Sequence, residues 1–149
     1  MEMEDDGRVV IRDAREDDAP ALAMLATAMD HPSDEAAMRR RMALLAGRDE
    51  YRTLVAEREG RVVGMAALAW GWTIVDDDPQ PRVVALSVAP EERGRGTGAA
   101  LMAAAEAWAR DGSAATLRLT TAVRREGAHR FYERLGYART GFRYVKKLG

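Results

Sequence analysis

The chain has 149 residues, 23 basic against 24 acidic, and no cysteine. That length favours one domain, 1–149, and a net charge of -1 gives no overall electrostatic case for nucleic acid. The missing thiols remove disulfides, thiolate metal sites and a cysteine nucleophile together, and His31 and His129 lack metal-ligand spacing, so no metal is expected. No apolar run reaches the roughly 18 residues of a membrane span. The start, MEMEDDGR, is acidic and polar, unlike a secretory signal, so a cytoplasmic protein with no membrane partner is expected.

Taken in order, Arg8 to Ala14 reads as a short strand. Asp17 or Asp18 can cap a helix with Pro20 in its first turn and Leu22, Leu25, Ala26 and Met29 at helical spacing. Asp30 to Ser33 breaks that helix. Ser33 is expected to cap a second one, with Asp34 and Glu35 at its positive end, a stripe of Met38, Met42 and Leu45, and Gly47 as its stop. Tyr51 to Glu57 and Arg61 to Trp70 read as strands joined by a tight turn at Arg58 to Gly60. Asp76 to Pro81 is a loop. Arg82 to Val88 is almost continuously apolar, which predicts a central strand buried on both faces, ended by Pro90.

A glycine-rich turn then opens onto a helix with Leu101, Met102, Ala105, Trp108 and Ala109 on one side, closed at Asp111 to Ser113. Ala115 to Thr121 reads as a strand, Gly127 to Gly136 as a short helix, and Tyr137 to Leu148 as a hairpin turning near Gly141. The order is β-α-α-β-β-β-α-β-α-β-β, a mixed α/β (α+β) class with one strand-helix-strand crossover.

The turn carries the chemistry. A helix N-terminus offers unpaired N–H groups and partial positive charge, and glycines let an anion approach the backbone. Gly94, Arg95, Gly96, Thr97, Gly98 and Ala99 therefore form a candidate pyrophosphate site, with Arg93 and Arg95 as added charge or as solvated side chains. A Walker A loop fails, because Gly98 is followed by Ala99 and Ala100 rather than by Lys and Ser or Thr. Gly94 to Ala99 does satisfy G-x-G-x-x-A. Its context is wrong for a dinucleotide fold, since several elements precede it and the next strand ends without an acid.

Arg93 to Gly98 also matches R/Q-x-x-G-x-G/A, and Ala128 and Tyr132 in AHRFYERLGY keep an A-x-x-x-Y spacing. Loop, downstream helix and element order together resemble the GNAT superfamily of N-acetyltransferases, across nearly the whole chain. The resemblance implies a GNAT-like acyl-CoA N-acyltransferase fold and an enzyme that transfers acetyl directly from acetyl-CoA to a primary amine. It implies a bulged fourth strand whose Leu86, Ser87 and Val88 meet the pantetheine arm, with an amide at Leu86 or Val88 polarising the thioester carbonyl. It implies that backbone N–H groups from Arg93 to Ala99 hold the pyrophosphate, and that Tyr132 protonates the leaving thiolate. Arg125 stands where many members have a pantetheine-contacting Asn. The fourth strand has no carboxylate, so no general base is assigned.

In that family the acceptor lies between the loop after the first helix and the loop before the fourth strand. Here these supply Asp30, His31, Trp70, Trp72 and Asp76 as substrate-binding candidates, though Trp70 reads equally well as core and the acidic run as a solvated turn. The C-terminal pattern resembles small-molecule members, including aminoalkylphosphonate and aminoglycoside N-acetyltransferases. A small-molecule amine is therefore the expected acceptor. Protein or peptide acetylation and a non-catalytic CoA sensor are the alternatives, and a homodimer is compatible with the family.

Overall fold

Glu59 and Gly60 both have positive φ, +51° and +75°. A two-residue hairpin turn requires such angles, and it sets the register of the longest pair of strands. The computed structural model describes residues 7–149, and the acidic start at 1–6 lies outside them. In chain order the helices and strands are β1 (Val10–Asp13), α1 (Ala19–Ala28), α2 (Glu35–Leu45), β2 (Tyr51–Arg58), β3 (Arg61–Ala69), β4 (Arg82–Val88), α3 (Thr97–Asp111), β5 (Arg118–Leu119) and α4 (Glu126–Arg134). Single 3-10 turns at Glu16–Asp18 and Pro90–Glu92 lead into α1 and toward α3. The sheet order is β1-β2-β3-β4-β5, with β1 to β4 successively antiparallel. Contacts divide the chain into two compact units, Met1–Arg118 and Leu119–Gly149.

In the first unit, Leu22, Ala23, Leu25 and Ala26 of α1 pack with Met38, Val55 and Met65. The helical spacing of the apolar positions in α1 and α3 is borne out: Leu22, Leu25, Leu101, Met102, Ala105 and Ala109 are all buried. Two bulges bend the sheet. In the β2–β3 pairing Ala56 faces Gly64 and Glu57 faces Val62, which leaves Val63 as the extra residue. In the β3–β4 pairing Ala67 faces Ala85 and Leu68 faces Val83, which leaves Val84. The fourth-strand bulge is therefore at Val84, not at Leu86 to Val88. Val84 is 55% exposed, so β4 is not buried on both faces as its apolar run predicts.

Helix starts differ from the sequence expectation in an instructive way. Asp34, not Ser33, caps α2, its carboxylate accepting from the Ala37 N–H at 2.7 Å. The Ser33 hydroxyl instead donates to the His31 carbonyl and accepts from Arg41. Asp18 occupies the N-cap position of α1, but its side chain makes no cap bond there. Its carboxylate turns back to the Arg15 N–H (2.7 Å) and to both terminal nitrogens of Arg12 (2.8 and 3.0 Å), while Arg12 Nε also reaches Glu57. Asp18 is 7% exposed, so its charge is compensated within the fold rather than by water.

In the second unit α4 ends in a Schellman motif: Gly136 (φ +95°) donates to Glu133 and Tyr137 donates to Tyr132. The expected stop at Gly136 is met. The expected final hairpin is not: residues 137–149 carry no helix or strand, and Phe142, Tyr144, Val145 and Leu148 are each at least 80% exposed. The first arm, Tyr137 to Thr140, offers one large apolar side chain, so it has no face to bury, and a hairpin alone is marginal in water. The strand expected over Ala115 to Thr121 is reduced to Arg118–Leu119, with the Arg118 N–H donating to the Pro81 carbonyl.

Arg12 holds the Asp18 carboxyl below its ordinary value of 3.8, with the Arg15 N–H adding to the effect. A depressed native pKa contributes stability above the unfolded value that is lost as pH falls through the native one. Asp18→Asn should therefore flatten the acid limb of a stability-versus-pH curve below about pH 4. At neutral pH it should cost about 2 kcal/mol, the scale of hydrogen bonds to a charged group, because Arg12 keeps Glu57 as a partner. Denaturant melts from pH 2 to 7 measure both effects, and parallel acid limbs would refute the assignment.

Candidate active site

β4 leads through Ala89 and the Pro90–Glu92 turn into the glycine-rich stretch. Gly94 and Gly96 have φ of +80° and +84°, which L side chains rarely adopt, and a Cβ built on either meets nothing within 4 Å. Backbone conformation, not crowding, demands glycine at these two positions, and space is open beside them. Gly96 is the N-cap of α3, and the first bond along the helix runs from the Ala100 N–H to the Gly96 carbonyl. The N–H groups of Gly96, Thr97, Gly98 and Ala99 consequently have no acceptor within the helix. The amides of Arg93 and Arg95 are turned inward to the carbonyls of Pro90 and Glu92, each at 3.3 Å.

A charged cluster lies behind this turn. Glu92 is 6% exposed and Arg58, the last residue of β2, is 9% exposed. Arg58 Nε donates to Glu92 Oε2 at 3.0 Å, and Arg95 Nη1 donates to Glu92 Oε1 at 3.1 Å. The hydroxyl of Thr97, 1% exposed, sits 3.4 Å from Arg58 Nη2 and 3.5 Å from Glu92 Oε2. Arg95 is thus anchored at one end and half exposed, whereas Arg93 is exposed. On the other side of Thr97, a Cβ at Gly64 would come within 3.1–3.3 Å of Leu101 Cδ1, Thr97 Cγ2 and the Ser87 carbonyl. Gly64 lets the first turn of α3 lie against β3.

Along β4, the Ala89 N–H donates to the Val63 carbonyl at 2.8 Å, and Val88, Ser87 and Leu86 lie opposite Gly64, Met65 and Ala66. Bonded and non-bonded pairs alternate in an antiparallel ladder. The backbone polar groups of Ser87 therefore face β3, and those of Leu86 and Val88 turn to the opposite edge of β4. The Ser87 hydroxyl donates to the Leu25 carbonyl at 2.8 Å, which ties β4 to α1 and commits that side chain to the fold.

The acceptor candidates lie on two loops. Asp30, with φ +66°, and exposed His31 sit on the α1–α2 loop. Trp70 is structural: its ring packs edge-on against Trp108 with centroids 5.1 Å apart, and it occupies the space that a Gly112 side chain would need. Gly71 and Gln80 pinch the neck of the 70–81 loop through a 2.7 Å backbone bond, leaving Trp72 67% exposed beyond it. Asp76 accepts from the Asp78 N–H at 3.0 Å, so its carboxylate serves the loop's own turn. An open cavity of about 530 Å³ is lined by Met24, Thr27 and Ala28 of α1, Ser33 and Asp34 of the α1–α2 loop that carries Asp30 and His31, and Glu35 of α2.

On α4, Tyr132 makes edge contacts with Phe131 and Tyr137, at 5.2 and 6.0 Å between centroids. Burial pushes its phenol above the ordinary value of 10.0, partly opposed by the nearby Arg125 charge. Arg125 is the N-cap residue of α4, and a ring nitrogen of His129 lies 2.8 Å from the Ala122 carbonyl, tying the helix to its lead-in loop.

Residues 9–137 match the model of the "Acetyltransferase (GNAT) family". The chain belongs to the GNAT acetyltransferase family. An aminoalkylphosphonate N-acetyltransferase of Salmonella typhimurium is 38% identical over 94 residues, which is 63% of this chain and 61% of that protein. An aminoglycoside N-acetyltransferase solved with CoA superposes with a TM-score of 0.83 at 17% identity, covering 95% of this chain and 96% of that one. A protein of Bacillus halodurans described as a transcriptional regulator superposes at 0.82 and 23%, covering 93% and 100%. These structures establish the GNAT fold.

Residue patterning missed the Arg58–Glu92–Thr97 cluster. Its only trace is the glutamate immediately before Arg93 and the arginine that ends the strand before the hairpin turn. It also missed the reason for Gly112. That residue has an ordinary φ of -87°, and glycine is required by the Trp70 indole, not by the helix stop, since the left-handed residue is Ser113 at +66°. Gly112→Ala should lower stability by about 2 kcal/mol or more through overpacking. A thermal melt within 2 °C of wild type would remove Trp70 from this structural role.

Proposed function

We propose that this GNAT-family chain transfers the acetyl group of acetyl-CoA to a primary amine of a small molecule. The observation that carries the reading is the turn from Arg93 to Gly98. Two left-handed glycines open the backbone, and four helix-start N–H groups without intrahelical acceptors follow. Aligned donors at a helix start suit a pyrophosphate, and Arg93 and Arg95 add charge at its edge.

Leu86 and Val88 present their backbone groups to the β4 edge away from β3, the orientation needed to meet a pantetheine arm and polarise a thioester carbonyl. Arg125, beside Tyr132, is assigned to the donor as well. The amine attacks the carbonyl carbon and forms the C–N bond, the C–S bond breaks, Tyr132 hands its proton to the departing thiolate, and the proton lost by the amine nitrogen restores the phenol through solvent. A phenol raised above 10.0 stays protonated at neutral pH and can fill that role. The small-molecule acceptor is supported by the relative named as an aminoalkylphosphonate N-acetyltransferase. Asp30, His31, Trp72 and Asp76 on their two loops are the proposed acceptor contacts.

The test is a panel of aminoalkylphosphonates, aminoglycosides and polyamines with acetyl-CoA, read by release of free thiol. Release above the no-amine background with at least one member supports the reading, and CoA binding with no release across the panel overturns it. Tyr132→Phe should reduce kcat about 100-fold, the scale of lost general-acid catalysis, with CoA affinity within twofold of wild type. Because its pKa is raised, loss of this acid should appear in the wild-type kcat profile only above pH 10. Equal kcat for the two proteins would remove Tyr132 as the acid.

A further inference from the structure

The glycine turn carries an apparent contradiction. A site built for a pyrophosphate has a glutamate, Glu92, almost wholly buried against its helix: Glu92 Oε2 lies 3.5 Å from the hydroxyl of Thr97, the first residue of α3. An uncompensated carboxylate at that place would oppose anion binding and would itself be costly to bury.

The compensation comes from 34 residues earlier in the chain. Arg58 ends β2 immediately before the two-residue hairpin turn. Its Nε donates to Glu92 Oε2 and its Nη2 reaches the Thr97 hydroxyl, so one planar fork touches the residue before the turn and the residue after it. The other carboxylate oxygen holds Arg95. Glu91 and Arg61, 3.8 Å apart and well exposed, form a pair of the kind that contributes little. Arg58 therefore has two effects. It fixes the two ends of the glycine turn against each other, and it cancels the charge of Glu92 so that Arg93 and Arg95 leave the turn net positive.

We propose that Arg58 is a positioning residue for the donor: it acts through Glu92 and Thr97 to hold the turn open for the pyrophosphate of acetyl-CoA and sets the affinity for that group. Arg58 does not contact the ligand. The inference rests on the assignment of the glycine turn to pyrophosphate, and it names the part of the fold that keeps that turn competent.

Binding is measured by calorimetry with CoA and, in competition, with pantetheine, which lacks the pyrophosphate. No acceptor is needed. Wild type should prefer CoA by about 30-fold or more; no preference would refute the pyrophosphate assignment of the turn, and this inference with it. With that preference present, Arg58→Met should weaken CoA at least about 10-fold and pantetheine by less than twofold. Adding Glu92→Gln to Arg58→Met removes the uncompensated charge but not the missing fork, and should recover part of the lost CoA affinity while leaving it about threefold or more below wild type.

A folded Arg58→Met protein with wild-type CoA affinity would overturn the proposal. So would equal weakening of both ligands, which is the mark of a merely structural role, or a double variant no better than the single one. Should Arg58→Met not fold, Arg58→Lys keeps the charge but not the fork. CoA should then weaken about threefold or more with pantetheine unaffected, and unchanged CoA affinity would overturn the proposal.

Discussion

Thr97 is the hinge of the first unit's architecture, because its two branches face different kinds of neighbour. Its methyl lies toward Gly64 of β3, and its hydroxyl lies toward Glu92 and Arg58. The apolar contact presses the start of α3 onto the sheet, and the polar one ties it to the end of β2. Valine would keep the first and lose the second; serine would do the reverse. The ion pair behind it is weak evidence for stability, since desolvating two charges offsets most of their attraction. What the pair does supply is geometry: one arrangement of the Pro90–Gly96 segment satisfies both carboxylate oxygens of Glu92 at once.

The fold was legible where a residue's local preference and its tertiary task coincide. Leu22, Leu25, Leu101 and Ala105 recur at helical spacing because the faces they mark are buried. The tight turn at Arg58 to Gly60 and the helix stop at Gly136 each contain a glycine at a positive φ that glycine adopts without strain. Legibility ended where several side chains compete for one job. Asp18, Ser33 and Asp34 are all chemically able to cap a helix. Asp34 does so, while Asp18 is drawn away by Arg12 and Ser33 by Arg41. Neither partner is adjacent in sequence, so spacing alone carries no trace of either pairing.

The same reasoning separates the two halves of the candidate site. On the proposed reading the donor side is largely backbone: positive-φ glycines, helix-start amides and the alternating ladder of β4. Backbone geometry leaves a strong mark in sequence, because glycine has few substitutes there. The acceptor side was read from side chains, and side chains have more than one use. Trp70 anchors the C-terminal end of α3, and Asp76 braces its own turn through one carboxylate oxygen while remaining a proposed acceptor contact. Gly112, which reads as a helix stop, is small to make room for an indole. Both tryptophans of the Trp70 to Pro81 loop are chemically alike, and only their packing distinguishes the structural one from exposed Trp72.

That loop joins a fixed neck to an open tip. The Gly71–Gln80 bond and the Trp70–Trp108 contact pin its base, so the path of the chain into β4, and with it the phase of the Leu86 and Val88 amides, does not depend on what the tip contains. Trp72, Ile74 and Val75 beyond the neck are at least 67% exposed and make no part of the core. A fold arranged in this way can change the tip without disturbing the turn at Gly94 and Gly96. On the proposed reading, the donor is held by the part of the fold that stays fixed, and the choice of amine falls to the loops outside it.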